Sequence, residues 1–210
     1  MKILFVSDTV MPQMESAVNL RRHYGDIELI VSCGDLPSVY LEFITSVLNV
    51  PLFYVRGNHD ENYSERPPGG EDLHGRLVRY QGLTFYGLEG SIRYNDSPLQ
   101  YTDSEMLRLV VSAGPRLYYQ RMCHRRPLDV LVTHSPPRGI HDAEDKPHWG
   151  FKALLRFMEW YQPRFMVHGH VHTWDRRTVT RTDYLKTTII NINPVTVMNI
   201  EPAQPRDEGG

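Results

Sequence analysis

Four short polar clusters follow apolar segments of this chain and carry side chains that bind divalent metal ions. Carboxylates, one amide and imidazoles form a ligand set for first-row ions such as Mn, Fe, Ni or Zn. Two such ions about 3.5–4 Å apart can clamp a phosphoryl group and supply a hydroxide nucleophile. The composition of the clusters therefore predicts a two-metal hydrolase site. The residues are Asp8, Asp35, Asn58, His134, His170 and His172, with His59 and Asp60 directly after Asn58.

The N-terminal part of the chain alternates between predicted strands and helices. Alternation of this kind predicts right-handed crossovers and a parallel sheet. Ligands of such sheets collect beyond the carboxyl ends of the strands. Asp8, Asp35 and Asn58 each lie at such an end, so we expect them to meet. Apolar runs and helical spacing place the strands at 2–7, 28–33 and 52–56 and the helices at 13–24 and 38–48.

The remaining elements are predicted in the same way, and no linker or repeat divides them. We therefore expect a single domain over residues 1–200 and a disordered tail over 201–210. Polar residues broken by prolines and glycines predict a surface loop at 61–74. The other expected elements are strands at 76–80, 83–88, 128–133 and 164–168, one or two helices within 102–124, a helix at 150–161, and a strand-rich end over 174–200 with breaks at Thr182-Asp183 and Asn193-Pro194.

Composition restricts the classes of partner. The chain has 210 residues, a formal net charge of −2 and two cysteines. It therefore lacks the overall basic field typical of nucleic-acid binding, and we expect no nucleic-acid groove. Two cysteines are too few for a disulfide framework. The apolar run that starts at Lys2 is too short for a signal peptide or a membrane span. These features predict a cytoplasmic protein without a membrane partner.

Asp35 is the candidate for a carboxylate that bridges two ions. It follows Gly34 at the end of a strand, where a glycine lets the backbone turn sharply. The alternative is an aspartate that caps the following helix. Asn58 offers a neutral amide oxygen to a metal, and the alternative for its segment is an ordinary polar turn.

His59 is the candidate proton donor to a leaving alkoxide. We expect Asp60 to hold the second nitrogen of the His59 ring and to raise its basicity. His134 ends an apolar strand, where a structural histidine is the alternative to a ligand. If residues 170–172 are extended, the side chains of His170 and His172 point to one side. The alternative for this pair is an exposed strand edge.

The order of these motifs resembles the calcineurin-like metallophosphoesterase family over residues 2–193. The resemblance implies a four-layer αββα sandwich, in which helices flank two mixed β-sheets. It also implies hydrolysis of phosphomonoesters or phosphodiesters, with His59 beside the scissile bond. By the same resemblance, Asp8, Asp35 and His172 hold one metal, and Asp35, Asn58, His134 and His170 hold the other.

Val10 departs from the family pattern. The family usually has Asp-x-His in its first motif, where this chain has Asp8-Thr9-Val10. Valine cannot bind a metal, so one ion is expected to have only three protein ligands. We therefore predict that the site at Asp8 binds its ion more weakly than its neighbour.

The loop at 135–149 is expected to cover the site because it follows His134 directly. Its candidates for contacts with phosphate oxygens are Arg138, His141 and His148. A solvated loop without such contacts is the alternative.

These features predict a phosphoesterase that uses two transition-metal ions on a small phosphodiester, such as a cyclic nucleotide or a nucleotide derivative. The small size of the chain and its lack of a basic groove favour a small substrate. A phosphomonoesterase or protein phosphatase is the first alternative. The second is a non-catalytic scaffold of the same fold with a depleted metal site, which Val10 favours and the intact Gly57-Asn58-His59-Asp60 run disfavours.

Overall fold

Apolar strands and amphipathic helices alternate along most of the chain. The computed structural model describes residues 1–124, 128–172 and 178–202. Within these residues the strands are β1 (Lys2–Val6), β2 (Leu29–Ser32), β3 (Leu52–Tyr54), β4 (Glu71–Asp72), β5 (Leu77–Tyr80), β6 (Leu83–Leu88), β7 (Ser91–Ile92), β8 (Gln100–Tyr101), β9 (Val130–Thr133), β10 (Phe165–His168), β11 (Arg181–Tyr184), β12 (Thr187–Asn191) and β13 (Val195–Asn199), and the helices are α1 (Ala17–Tyr24), α2 (Ser38–Leu48), α3 (Asp103–His124) and α4 (Lys152–Tyr161).

Two mixed sheets form the centre of the fold. The first has the order β13-β1-β2-β3-β4, and the second has the order β11-β12-β10-β9-β6-β5. Strands β1, β2 and β3 run parallel, as the alternation with α1 and α2 predicts, whereas β13 runs antiparallel to β1. In the second sheet β6, β9, β10 and β12 are parallel, and the two edge strands are antiparallel.

The sheets pack face to face, and helices cover both outer faces. Side chains such as Phe5 and Val31 from the first sheet meet Phe85 and Val132 from the second in a shared core. The opposite faces pack against α1 and α2 on one side and against α3 and α4 on the other. In α4 an apolar stripe that includes Leu154 and Phe157 is buried against the second sheet. The four-layer sandwich is therefore confirmed.

The helices differ in detail from the predictions. The segment predicted as a helix at 13–24 begins with a 3-10 turn, Pro12–Glu15, and α1 starts only after Ser16. The Ser16 hydroxyl accepts a hydrogen bond from the main-chain N–H of Asn19 and so caps that helix. Residues 103–124 form one helix, which continues through Pro115. Among the described residues, no helix combines the length and apolar character that crossing a membrane requires.

Two predictions of local structure are corrected. The predicted loop at 61–74 contains a 3-10 turn, Glu61–Ser64, and strand β4, which pairs with β3. The break predicted at Thr182-Asp183 is wrong because both residues lie inside β11, opposite Ile189 and Thr188. The chain turns instead after Tyr184.

Parts of two further predictions lie outside the described residues. These are 174–177 of the strand-rich end and 203–210 of the predicted tail. Of the tail, Glu201 and Pro202 are described and exposed, and the carbonyl of Glu201 accepts a hydrogen bond from Arg164.

Candidate metal centre

The ends of strands from both sheets meet at one edge of the sandwich. Asp35 follows β2, His134 follows β9 directly, and His170 lies two residues after β10. One potential ligand atom from each of these three residues lies within 4.8 Å of the other two. We call Asp35, His134 and His170 the three-residue cluster. Because its members come from two sheets, the cluster depends on their correct packing.

His134 is buried and held by both ring nitrogens. Its Nδ1 lies 2.8 Å from the carbonyl oxygen of Cys33, to which it donates a hydrogen bond. Its Nε2 lies 3.1 Å from Asn58 Oδ1 and 3.3 Å from Asp35 Oδ2. The main-chain contact fixes the ring so that Nε2 faces two oxygen ligands, which is how outer contacts commonly orient a metal-binding histidine.

The charges of this group are strongly coupled. Burial is the largest single effect and disfavours the His134 imidazolium. The Asp35 carboxylate, with smaller contributions from Asp8 and the Cys33 carbonyl, more than offsets it and raises the pKa of His134 to about 9. Burial also opposes ionisation of Asp35, but His134 and the hydrogen bond from the His59 main chain together offset it, so that the pKa of Asp35 falls to about 2. Without a metal, the Asp35 carboxylate is therefore paired with a protonated His134. A divalent cation would displace the His134 proton and would then have a carboxylate, an amide oxygen and neutral imidazoles as donors.

Asn58 is oriented by a residue that the sequence did not single out. The Asn58 amide Nδ2 donates to the Tyr94 hydroxyl at 3.2 Å, which leaves Oδ1 directed at His134. Tyr94 follows Asn58 by 36 residues. No periodicity or motif connects the two positions.

His170 is positioned through both its ring and its main chain. Its Nε2 donates to the carbonyl of Pro147 at 2.7 Å, which leaves Nδ1 as the free ligand atom. Its ring centroid lies 4.7 Å from that of His134. Burial is the main cause that lowers the pKa of His170 to about 3, so the ring is neutral and able to bind a metal. The contact with Pro147 also places part of the 135–149 loop over the site.

Asp8 lies beside His170. The main-chain N–H of His170 donates to both carboxylate oxygens of Asp8, at 3.1 and 2.9 Å. A side chain at Gly169 would collide with this carboxylate, so the close approach requires glycine. Burial raises the pKa of Asp8, with the Asp35 carboxylate adding to the effect.

Three of the proposed ligands have a left-handed main chain. The φ angle is 63° at Asp8, 56° at Asp35 and 69° at His170. Such strained backbone is common at functional sites.

His172 and Val10 do not join the three-residue cluster. Strand β10 ends at His168, and His170 adopts a left-handed conformation, so the expectation of an extended His170–His172 segment is wrong. His172 is exposed. Val10 is partly buried and packs against the apolar cluster beneath α1 and α2. Position 10, where the family usually has a histidine, therefore contributes to apolar packing through Val10.

His59 and Asp60 have different surroundings. The His59 side chain is exposed, and its main-chain N–H donates to Asp35 Oδ1 at 2.8 Å. The Asp60 carboxylate is buried and accepts from the main-chain N–H groups of Asp35 and Gly57, at 2.7 and 2.8 Å. Burial, and then the nearby Asp35, raise the pKa of Asp60 to about 6. The expected Asp60–His59 ring contact is thus corrected, because Asp60 instead holds the backbone turns that carry Asp35 and Asn58.

The three predicted substrate contacts are His148, Arg138 and His141, and they have different surroundings. The His148 ring lies 5.1 Å from that of His170, and its Nδ1 lies 2.5 Å from Asp145. Arg138 stacks on the Trp149 ring at 4.4 Å. His141, in contrast, directs its ring nitrogens at His168 and Thr182, which corrects the prediction that His141 contacts substrate.

Comparison with known proteins gives one family match and distant structural relatives. The model of the family described as calcineurin-like phosphoesterase matches residues 1–174. UPF0046 protein K07C11.7 of Caenorhabditis elegans is 27% identical over 201 residues, which cover 82% of this chain and 63% of that protein. The chain therefore spans less than two thirds of the length of this relative. The structure of TT1561 of Thermus thermophilus superposes with a TM-score of 0.57 at 16% identity, covering 92% of this chain and 89% of that one.

Proposed function

The chain belongs to the calcineurin-like phosphoesterase family, and from that premise we propose that it is a metal-dependent hydrolase of a small phosphodiester, such as a cyclic nucleotide or a nucleotide derivative. The observation that carries the proposal is the three-residue cluster, whose ligand atoms converge within 4.8 Å. The net charge of −2 favours a small substrate over a nucleic-acid duplex.

One metal would be held by Asp35, Asn58, His134 and His170, which we call the His134 site. The donor atoms are two oxygens and two nitrogens, which suits Mn, Fe, Ni or Zn. They fit such an ion because main-chain carbonyls of Cys33 and Pro147 hold one nitrogen of each imidazole and leave the other for the metal.

A second metal would be held by Asp8 and Asp35, which we call the Asp8 site. His172, the third ligand that the family resemblance implies, is exposed and lies outside the three-residue cluster. With Val10 packed against the apolar core, this site has at most three protein ligands and would bind its ion more weakly than the His134 site. A pair of such ions would supply a nucleophile near neutral pH and would neutralise charge that develops on phosphoryl oxygens.

His59 would donate a proton to the leaving alkoxide. Its exposed imidazole is free to reach a bound substrate, while its main-chain N–H stays on Asp35. Asp60 acts through the backbone, by fixing the turns at Gly57 and Asp35.

His148 and Arg138 are the proposed contacts for phosphate oxygens. The His148 ring packs beside His170, and its Nδ1 lies 2.5 Å from an Asp145 carboxylate oxygen. Arg138 lies on Trp149 and within 3.4 Å of Asp142, so its guanidinium is oriented before a substrate arrives.

A screen of aryl phosphomonoesters and phosphodiesters against Mn, Fe, Ni, Zn and Mg tests the proposal. We expect turnover with at least one transition metal and a higher kcat/KM for diesters. A higher kcat/KM for monoesters would show that the protein is a phosphomonoesterase and not a diesterase. Release of phosphate from phosphopeptides would show that it is a protein phosphatase. Absence of turnover with every metal would favour a scaffold, for which the depleted ligand set at Val10 is the supporting observation.

A further inference from the structure

Two imidazoles outside the proposed metal ligands, buried His168 and partly buried His141, form a continuous hydrogen-bonded chain with Thr182. His168 Nε2 lies 3.1 Å from His141 Nδ1, and His141 Nε2 lies 2.9 Å from the Thr182 hydroxyl. His168 Nδ1 lies 2.9 Å from the carbonyl oxygen of Gly169. We call these three residues the histidine chain. They come from the end of β10, the 135–149 loop and the edge strand β11.

One arrangement of protons satisfies every contact in the histidine chain. The Gly169 carbonyl can only accept, so His168 Nδ1 must carry a proton and donate to it. In a neutral ring His168 Nε2 then accepts from His141 Nδ1–H, and His141 Nε2 accepts from the Thr182 hydroxyl. With the opposite polarity, a nitrogen lone pair would face the Gly169 oxygen. The histidine chain is therefore directional.

The surroundings favour neutral rings. His168 has an exposed fraction of 0%, and burial is the main cause that lowers its pKa to about 3. Burial also lowers the pKa of His141. The two rings pack with centroids 5.3 Å apart. A neutral pair of rings in which every ring nitrogen has a partner is suited to holding the backbone in one geometry.

The histidine chain ends on the residue before a proposed metal ligand. Gly169 precedes His170, whose main-chain N–H holds Asp8. The loop that supplies His141 also supplies Pro147, whose carbonyl accepts from the His170 ring. The 135–149 loop thus contacts this turn twice, once through the His170 ring and once through the histidine chain.

We propose that His141 and His168 are positioning residues that fix the Gly169–His170 turn, and with it the His170 ring and the hydrogen bonds to Asp8. The effect on metal binding rests on the proposed function, because it requires His170 to bind a metal. The effect on the turn itself does not.

Hydrogen exchange of the His170 amide in metal-free protein tests the positioning directly. His141→Leu removes both ring contacts, whereas His141→Asn keeps a donor near the position of Nδ1. We expect His141→Leu to accelerate exchange of the His170 amide about tenfold or more relative to amides of β1, with His141→Asn closer to wild type. Thr182→Val removes only the outer contact and is expected to have the smaller effect. The control is His23→Leu, on the outer surface of α1.

Calorimetric titration of the same variants with Mn measures the consequence for the metal. Loss of an outer contact typically lowers metal affinity by about 10–100-fold. We expect His141→Leu to weaken Mn binding by about tenfold, with unchanged stoichiometry. Unchanged exchange of the His170 amide would overturn the inference, whether or not the protein binds Mn. Loss of one bound Mn would also overturn it, because His141 would then be a ligand. Failure of wild type to bind Mn, with exchange accelerated as expected, would contradict the proposed function alone.

Discussion

The main-chain N–H of His170 donates to both carboxylate oxygens of Asp8, at 3.1 and 2.9 Å, across 162 residues of sequence. Asp8 follows the first strand of one sheet, and His170 follows β10 of the other. The contact therefore joins the two sheets at the edge where the proposed metal ligands lie. It also holds one carboxylate of the Asp8 site in place through the backbone, so that this part of the site depends on the turn at Gly169.

Gly57→Ala is expected to weaken metal binding. A Cβ at Gly57 would collide with the Asp35 carboxylate and would lie 2.7 Å from the His134 ring, so both ligands must shift. Gly69→Ala is the matched control because a Cβ there has no neighbour within 4 Å. Calorimetry with Mn should show a large loss of affinity for the first variant and none for the second. Equal affinities would show that Asp35 and His134 are not the ligands.

Tyr94→Phe tests the orientation of Asn58. Without the hydroxyl, the Asn58 amide loses the acceptor that keeps Oδ1 directed at His134. The expected loss is about tenfold in metal affinity, the lower range for outer contacts. Tyr118→Phe, at an exposed position on α3, serves as the control. If both variants bind Mn as wild type does, the contact with Tyr94 has no role in the site.

Metal titration with occupancy followed at each site is expected to give two affinities, with the Asp8 site the weaker. Val10→His should raise the lower affinity by restoring an imidazole, whereas Thr9→His, at the exposed neighbouring position, should not. Because Val10 packs against an apolar cluster, the Val10→His protein should also unfold at a lower temperature than wild type in the absence of metal. Equal affinity at both sites of the wild-type protein would contradict the prediction.

His59→Ala is expected to lower kcat by roughly 10²–10⁴-fold on a diester with a poor leaving group, because the proton donor is lost. The effect should be smaller with an activated aryl leaving group, which departs without a proton. Metal affinity should stay unchanged, since the contact between His59 and Asp35 uses the main-chain N–H, which alanine retains. His23→Ala, exposed on α1, provides the control. An unchanged kcat in the fully metal-loaded variant would reject the role of His59.

The sequence predicted the ends of the strands and the residues that follow them, because apolar runs and local motifs specify both. Asp35 and His134 could therefore be named in advance. The contacts of Tyr94, Pro147 and His168 could not, since each depends on where a distant segment packs. The predicted contact between Asp60 and the His59 ring is wrong because a carboxylate can accept equally well from main-chain N–H groups, here those of Asp35 and Gly57.

Polar and irregular segments account for the other differences. Strand β11 alternates exposed and partly buried residues at the edge of its sheet, so Thr182-Asp183 has the composition of a turn. The left-handed backbone at His170 ends the extended segment on which the placement of His172 relied. Neither feature leaves a signal in hydrophobic periodicity.

The most direct test compares wild type and His134→Ala for bound Mn and for hydrolysis of a bis-aryl phosphodiester in the same samples. After chelation, wild type should lose activity and regain it in proportion to Mn bound at the His134 site. His134→Ala should stay folded by circular dichroism, bind at least about 100-fold more weakly than wild type, since even outer contacts can account for that factor, and remain inactive at the same Mn concentration. Activity that persists after chelation, or a His134→Ala protein that binds Mn and turns over like wild type, would contradict the account.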